Sequence, residues 1–113
     1  MPIELTNISS DTDQRHVILF QDSEIELRLR YYPTRQFWAF DVAYKGVVAS
    51  GYKLSVGVLH MRSRNLPFDF VVQDNSGEGL DPLRADDFTT GRCTLLLLDA
   101  ADMELIRAAP VPI

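Results

Sequence analysis

Cysteine is almost missing from this chain, with Cys93 alone in 113 residues. A single cysteine excludes an intramolecular disulfide and suits folding in a reducing compartment. Long apolar runs are missing as well. No stretch approaches the roughly 20 residues that a membrane-spanning helix needs, so no membrane partner is expected. Basic charge is in deficit: 11 Lys and Arg stand against 16 Asp and Glu, a net charge of −5 and a pI near 4.8. Phosphate binding needs a clustered basic surface, so nucleic acid is not an expected partner. The two histidines, His16 and His60, lie far apart without metal-ligand spacing, so a structural role is favoured for each and no metal site is expected. The opening MPIELTNISS has neither a basic nor an apolar leader region. No secretory signal is therefore expected, and folding is expected in a cytoplasm.

What is present is an ordinary globular apolar share of 46%, enough for one domain over residues 1–113 with a modest core. The organising stretch is Gln36–Gly57. In it Trp38, Phe40, Val42 and Tyr44 alternate with Phe37, Ala39, Asp41 and Ala43, the period of a strand with one strongly apolar face. Lys45-Gly46 offers the positive φ of a two-residue hairpin turn, and the chain returns through Val47 to Tyr52. This hairpin holds the only Trp and the densest aromatic cluster, which makes it the expected centre of the core.

Around it, Pro2–Leu5 reads as a short edge strand and Thr6–Gln14 as a polar loop, so residues 1–14 form an N-terminal extension. His16–Phe20 is a compact apolar run. Glu24–Tyr32 alternates cleanly, with Ile25, Leu27, Leu29 and Tyr31 on one side and Glu24, Glu26, Arg28, Arg30 and Tyr32 on the other. The charged side is expected to be a solvated outer face. Val58–Leu66 is ambiguous between a helical turn and an irregular crossing, with Arg62 and Arg64 exposed. Phe68–Gln73 is a further strand, and Asp74-Asn75-Ser76-Gly77 a strong turn. Glu78–Gly91 is long, acidic and irregular; such a loop is usually a contact element or mobile. The run TLLLL in Arg92–Asp99 suits a strand buried on both faces. Met103–Ala108 has a short helix as a competing reading, and residues 109–113, with two prolines, form a C-terminal arm.

The residues that bear chemistry do not assemble into a catalytic pattern. Cys93 opens the most apolar strand, without a basic neighbour or helix start to activate it. Asp74, Ser76, Glu78 and Asp81 faintly suggest a calcium loop, but Gly and a bidentate Glu are not at the required positions. The glycines at 46, 51 and 57 make no phosphate loop and no nucleophile elbow. Asp41 beside aromatics is a candidate general base, yet a place on the solvated side or a bond to a neighbouring loop explains it better. No cofactor and no enzyme are expected.

One ordered set of features goes further. W-A-F-D-V at Trp38–Val42, K-G at Lys45-Gly46, V-A-S-G-Y-K-L-S-V-G at Val48–Gly57 and V-V-Q-D at Val71–Asp74 follow one another. L-D-P at Leu80–Pro82, an acidic loop and a Leu-rich strand at Leu95–Leu98 complete the set. Over roughly the last two-thirds of the chain this order resembles the phage baseplate plug family of contractile-tailed bacteriophages, of the cyanophage type with a minimal baseplate. The resemblance implies a virion structural protein, assembled in the host cytoplasm into the tail baseplate. Several copies would close or bridge the axial channel where the tail tube meets the hub and spike. The fold expected is an all-β, single-domain antiparallel barrel of about six to seven strands, with a long acidic loop and one short helical turn. An axial ring demands heterologous contacts between identical chains. Candidate contact residues are the aromatics Tyr32, Tyr44 and Tyr52, the basic pair Arg62 and Arg64, and the acidic pair Asp86 and Asp87.

Two other classes stay open. A β-sandwich that binds glycan or peptide would need an aromatic platform, formed by Trp38 with Phe37 or Tyr52. A small hydrolase would need paired carboxylates, for which Asp41 and Glu78 are the available pair.

Overall fold

A computed structural model describes residues 3–61 and 66–108 of the chain, with side chains as far as residue 104. Among the described residues there are seven strands. They are β1 (Ile3–Glu4), β2 (Asp13–Phe20), β3 (Ser23–Tyr32), β4 (Phe37–Tyr44), β5 (Val47–Lys53), β6 (Phe68–Asp74) and β7 (Cys93–Asp99). A helix, α1 (Ala100–Ala108), follows directly on β7. Helix rather than turn wins there because Asp99 caps it. Asp99 Oδ1 accepts the Asp102 N–H at 2.8 Å while Asp102 Oδ2 accepts the Asp99 N–H at 3.3 Å, a reciprocal cap of two otherwise orphaned donors.

The strands form two antiparallel sheets, β2-β3-β4-β5 and β1-β7-β6. The chain is all-β as expected, but the sheets are not closed into the expected barrel. Closure would require β2 to pair across to the second sheet. β1 is only two residues long, and the loop after it folds on itself, with Ser9 N–H donating to Gln14 Oε1 at 2.9 Å. On the other side, a single parallel bridge between Val56 and Val72 is the link, supported by Gly57 N–H on Val72 O at 3.0 Å.

Between the sheets lies the core. Ile25, Leu27 and Leu29 of β3 and Trp38, Phe40 and Val42 of β4 face Phe68, Phe70 and Val72 of β6 and Leu95 and Leu97 of β7. Rings interlock across the gap: Phe20 and Tyr44 each meet Phe68 edge-on, at 5.4 and 5.1 Å, and Phe40 meets Phe70 at 5.7 Å. These spacings lie in the range of favourable edge-to-face contacts. The leucine run of β7 alternates more than its composition suggests, with Leu95 and Leu97 inward and Leu96 half-buried. Leu98 is buried outside the core cluster between the sheets, and α1 packs against β7 and β6.

Candidate functional site

Three regions hold the polar groups that a function would use. The first is the acidic stretch between β6 and β7, which is tightly organised without a strand of its own. Arg92 clasps it. Its Nε and Nη2 donate to the two carboxylate oxygens of Asp87 at 3.0 and 2.8 Å, and Nη1 and Nη2 reach Leu80 O and Asp81 O at 3.2 and 2.8 Å. Nη1 also lies 3.3 Å from Asp74 Oδ1. Asp87 in turn accepts the Leu83 and Arg84 N–H groups at 2.7 and 2.8 Å. Two aromatic donors tie the loop to the large sheet: Tyr31 Oη–H to Leu83 O at 2.8 Å and Trp38 Nε1–H to Arg84 O at 3.0 Å. Phe88 then sits edge-on to Trp38 at 5.4 Å.

Charge states follow from these bonds. The Arg92 guanidinium, more than any other group, holds the Asp87 carboxyl down at about 2, and Asp87 raises Arg92 in return. Asp74 is held at about 2 chiefly by the Ser76 hydroxyl at 2.6 Å, then by the Leu80 N–H at 2.9 Å. The four-residue calcium-like pattern is thus an Asx turn centred on Asp74. Cys93, buried beside this cluster, has its thiol pushed up to about 11 by desolvation, which leaves no reactive thiolate near neutral pH.

The second region is the junction of the sheets around His60. Its Nε2 accepts the Ser55 N–H at 2.8 Å, which leaves Nδ1 to donate to Phe70 O at 2.7 Å. Nearby, buried Asp69 accepts the Met61 and Phe70 N–H groups at 2.9 and 2.7 Å. Burial raises the Asp69 carboxyl above its ordinary value against the pull of those donors. Both groups brace the crossing from β5 to β6.

The outer face of the large sheet is the third region, and the most open. Asp13 takes a two-pronged contact from Arg28 at 2.9 and 2.6 Å, and Asp41 accepts from Arg30 at 2.9 Å and from the Gly51 N–H at 2.8 Å. Asp41 therefore braces a β-bulge, where β5 slips by one residue between the pairs Phe40–Tyr52 and Val42–Ala49. Gly51 sits there at φ +79°, a backbone state that suits glycine. Beside this charged band Val17, Leu19 and Val48 are 63, 74 and 63% exposed. A shallow groove of about 190 Å³ runs between Val17 and Val48, lined also by Arg15, Glu26 and Ala43.

The candidate contact residues scatter over these regions. Tyr32 is exposed and stacks on Phe37 at 4.9 Å, and Asp86 is exposed on the loop. Tyr44 is a correction, since it is 5% exposed and wedged between Phe20 and Phe68. Asp87 is a second correction: it is 3% exposed and its carboxylate is saturated by the loop's own donors. Tyr52 is half-buried with its ring stacked on Phe40 at 5.5 Å, and Arg62 and Arg64 lie outside the described residues. Trp38 is fully buried, which removes it from any aromatic platform. What sequence reasoning missed is Arg92, whose only signal is its place as a lone cation closing an acidic stretch. The Val17–Val48 surface was missed as well.

Among the described residues no group of three or more His, Cys, Asp or Glu is placed to hold a metal ion, and no helix is long and apolar enough to cross a membrane. The described residues thus form a two-sheet β fold whose buried carboxylates brace its own turns. The chain belongs to the family described as the cyanophage baseplate Pam3 plug gp18, whose model matches residues 3–100. That match takes in β1, β2 and β3 as well as the hairpin and terminal strands that first suggested it. No curated protein matches the chain.

Proposed function

We propose that this chain is a non-enzymatic structural part of a contractile phage tail. Several copies surround the tail axis, close or bridge the channel where the tube meets the hub and spike, and give way when the tail contracts. The observation that carries this reading is the family match over residues 3–100. The structure is consistent with it in two respects. Asp41, the best candidate for a catalytic base, is engaged by Arg30 and Gly51, and the exposed apolar residues gather beside sheet edges, where subunits join. Partners are other copies of the chain together with tube and hub proteins, and the place of action is the virion baseplate.

The test is the mass of the purified chain by light scattering, alone and mixed with candidate tube and hub proteins. A defined ring, or a stable complex formed only with those proteins, is the expected result. A chain that stays monomeric and ignores them overturns the proposal.

A further inference from the structure

We infer that copies of this chain join edge to edge, β2 of one protomer pairing antiparallel with β5 of the next, so that the four-stranded sheets run on as one wall. The inference rests on the reading that several copies surround an axis, and it names the surface by which they meet.

The first argument is unpaired backbone. Tyr31 N–H donates to Thr12 O at 2.8 Å, and the register of β2 on β3 continues from that pair through Phe20–Ser23. Hydrogen-bonded and open positions alternate along an antiparallel pair. The N–H and C=O groups of Asp13, Arg15, Val17 and Leu19 therefore point away from β3. At the other edge, Val47 closes the two-residue turn opposite Tyr44, and Val48 is the first residue of β5 to point outward. Among the described residues, then, no strand pairs with the outer side of β2 or of β5, and exposed ladders of this kind pair with other chains unless they are blocked.

The second argument is the match between those edges. Pairing partners across the sheet define rows. Val17, Glu26, Ala43 and Val48 form one row, and Asp13, Arg30, Ala39 and Lys53 another. Each row begins on β2 and ends on β5. Setting the next copy level with the first places Val48 beside its Val17 and Lys53 beside its Asp13: apolar on apolar, and cation on carboxylate. The bulge makes this possible. Val17 and Asp13 are four residues apart, Val48 and Lys53 five, and the extra residue at Ser50-Gly51 absorbs the difference. Strands alternate in direction through the order β2-β3-β4-β5. β5 therefore meets the next β2 antiparallel with all copies pointing the same way, which is what rotation about a single axis requires. Lys53 also has an intramolecular carboxylate, Asp81, at 3.8 Å, and Asp13 keeps its Arg28. Both groups are more than half exposed and so are open to a further partner.

Cysteine pairing tests this directly. Val17→Cys and Val48→Cys are made as separate chains, with buried Cys93 left in place. They are then oxidised singly and as a mixture, alone and with the tube and hub proteins present. A hydrogen-bonded cross-strand pair holds its Cα atoms about 5.5 Å apart, within disulfide range. The expected result is a cross-linked dimer in the mixture and none in either variant alone, and a ladder of multimers when both cysteines sit in one chain. Dimers of Val17→Cys alone would show a two-fold β2–β2 contact and overturn the inference. So would cross-links from either site to tube or hub protein instead. A ring or complex seen by light scattering without the mixed cross-link would sink the edge pairing and leave the plug reading standing. A chain monomeric in every mixture would sink both.

Discussion

The acidic loop between β6 and β7 and the edges of the large sheet make an instructive contrast. The loop has no strand, yet its backbone and carboxylates are bonded to one another through Arg92, Asp87 and Asp74. Among the described residues β2 belongs to the longest regular ladder, yet no described strand pairs with its outer side. Regularity is therefore a poor guide to which surfaces are finished. A loop folded around a buried ion pair turns its polar groups inward, whereas an edge strand always presents a row of them. The region that sequence marks as a contact element is the closed one, and the region marked as routine strand is the open one.

Removing the clasp is the strongest way to break that contrast. Arg92→Ala leaves the Asp87 carboxylate buried without its counter-charge, and removal of one partner from a buried pair costs about 3 kcal/mol or more. The urea midpoint should fall accordingly, and amide exchange at Leu83 and Arg84 should quicken together. A change within about 0.5 kcal/mol would show the loop to be held by Trp38 and Tyr31 instead.

Acid should act on the same place. Asp87 and Asp74 both sit at about 2 in the folded chain, below the roughly 3.9 of an unfolded aspartate. Their stabilisation is complete above pH 4 and is lost as pH falls from about 4 toward 2. Asp69 works in the opposite sense. Its raised carboxyl favours the folded state below the ordinary aspartate range, and that contribution disappears as pH rises through the folded value. The loop pair outnumbers it, so the denaturation midpoint should drop steeply below pH 4. In Arg92→Ala the drop should be shallower, because the group that depresses Asp87 most is gone. An unchanged slope would assign the acid sensitivity to other carboxylates.

How far the sequence led depends on the kind of interaction. The alternation of Ile25, Leu27, Leu29 and Tyr31 against Trp38, Phe40, Val42 and Tyr44 gave both faces of the large sheet correctly, because period two is written in neighbouring residues. The alternation put Tyr44 on that apolar face as well, and its choice as a contact residue went against the pattern: an aromatic next to a hairpin turn looks exposed until Phe20 and Phe68 arrive from distant strands. Asp87 fails likewise. Adjacent to Asp86, it looks like half of a solvated pair, and only Arg92 five residues on turns it inward. The open sheet could not be told from a barrel either, since closure depends on whether β2 finds a partner across the molecule. No residue of β2 states that.

The sheet edge is tested by adding a charge where the ladder is open. Val17→Lys puts an ammonium on the outer face beside a free edge, a common device for discouraging strand addition. Val17 is 63% exposed, so protomer stability should move by less than about 0.5 kcal/mol. Any edge-paired assembly should shift to smaller species in sedimentation velocity. The same change at exposed Asp86 should leave assembly untouched, because the loop is closed on itself. If the loop variant disperses the assembly and Val17→Lys does not, the contrast between the regions is reversed.

The smallest effect expected lies in the turn that begins β3. Gln21 and Asp22 adopt φ +48° and +65°, the left-handed pair of a type I′ hairpin turn, in which glycine is favoured at the second position. The equivalent turn between β4 and β5 has Lys45 and Gly46 at φ +48° and +79° and already carries that glycine. Asp22→Gly relieves the left-handed strain while making the unfolded chain more flexible, so the net gain should be only about 0.5 kcal/mol. It should appear as a modestly higher midpoint with no change in assembly, because Asp22 lies beyond the paired rows. A loss of stability instead would mean that the Asp22 side chain holds the turn by its own bonds. The β2–β3 hairpin, like the acidic loop, would then depend on a carboxylate.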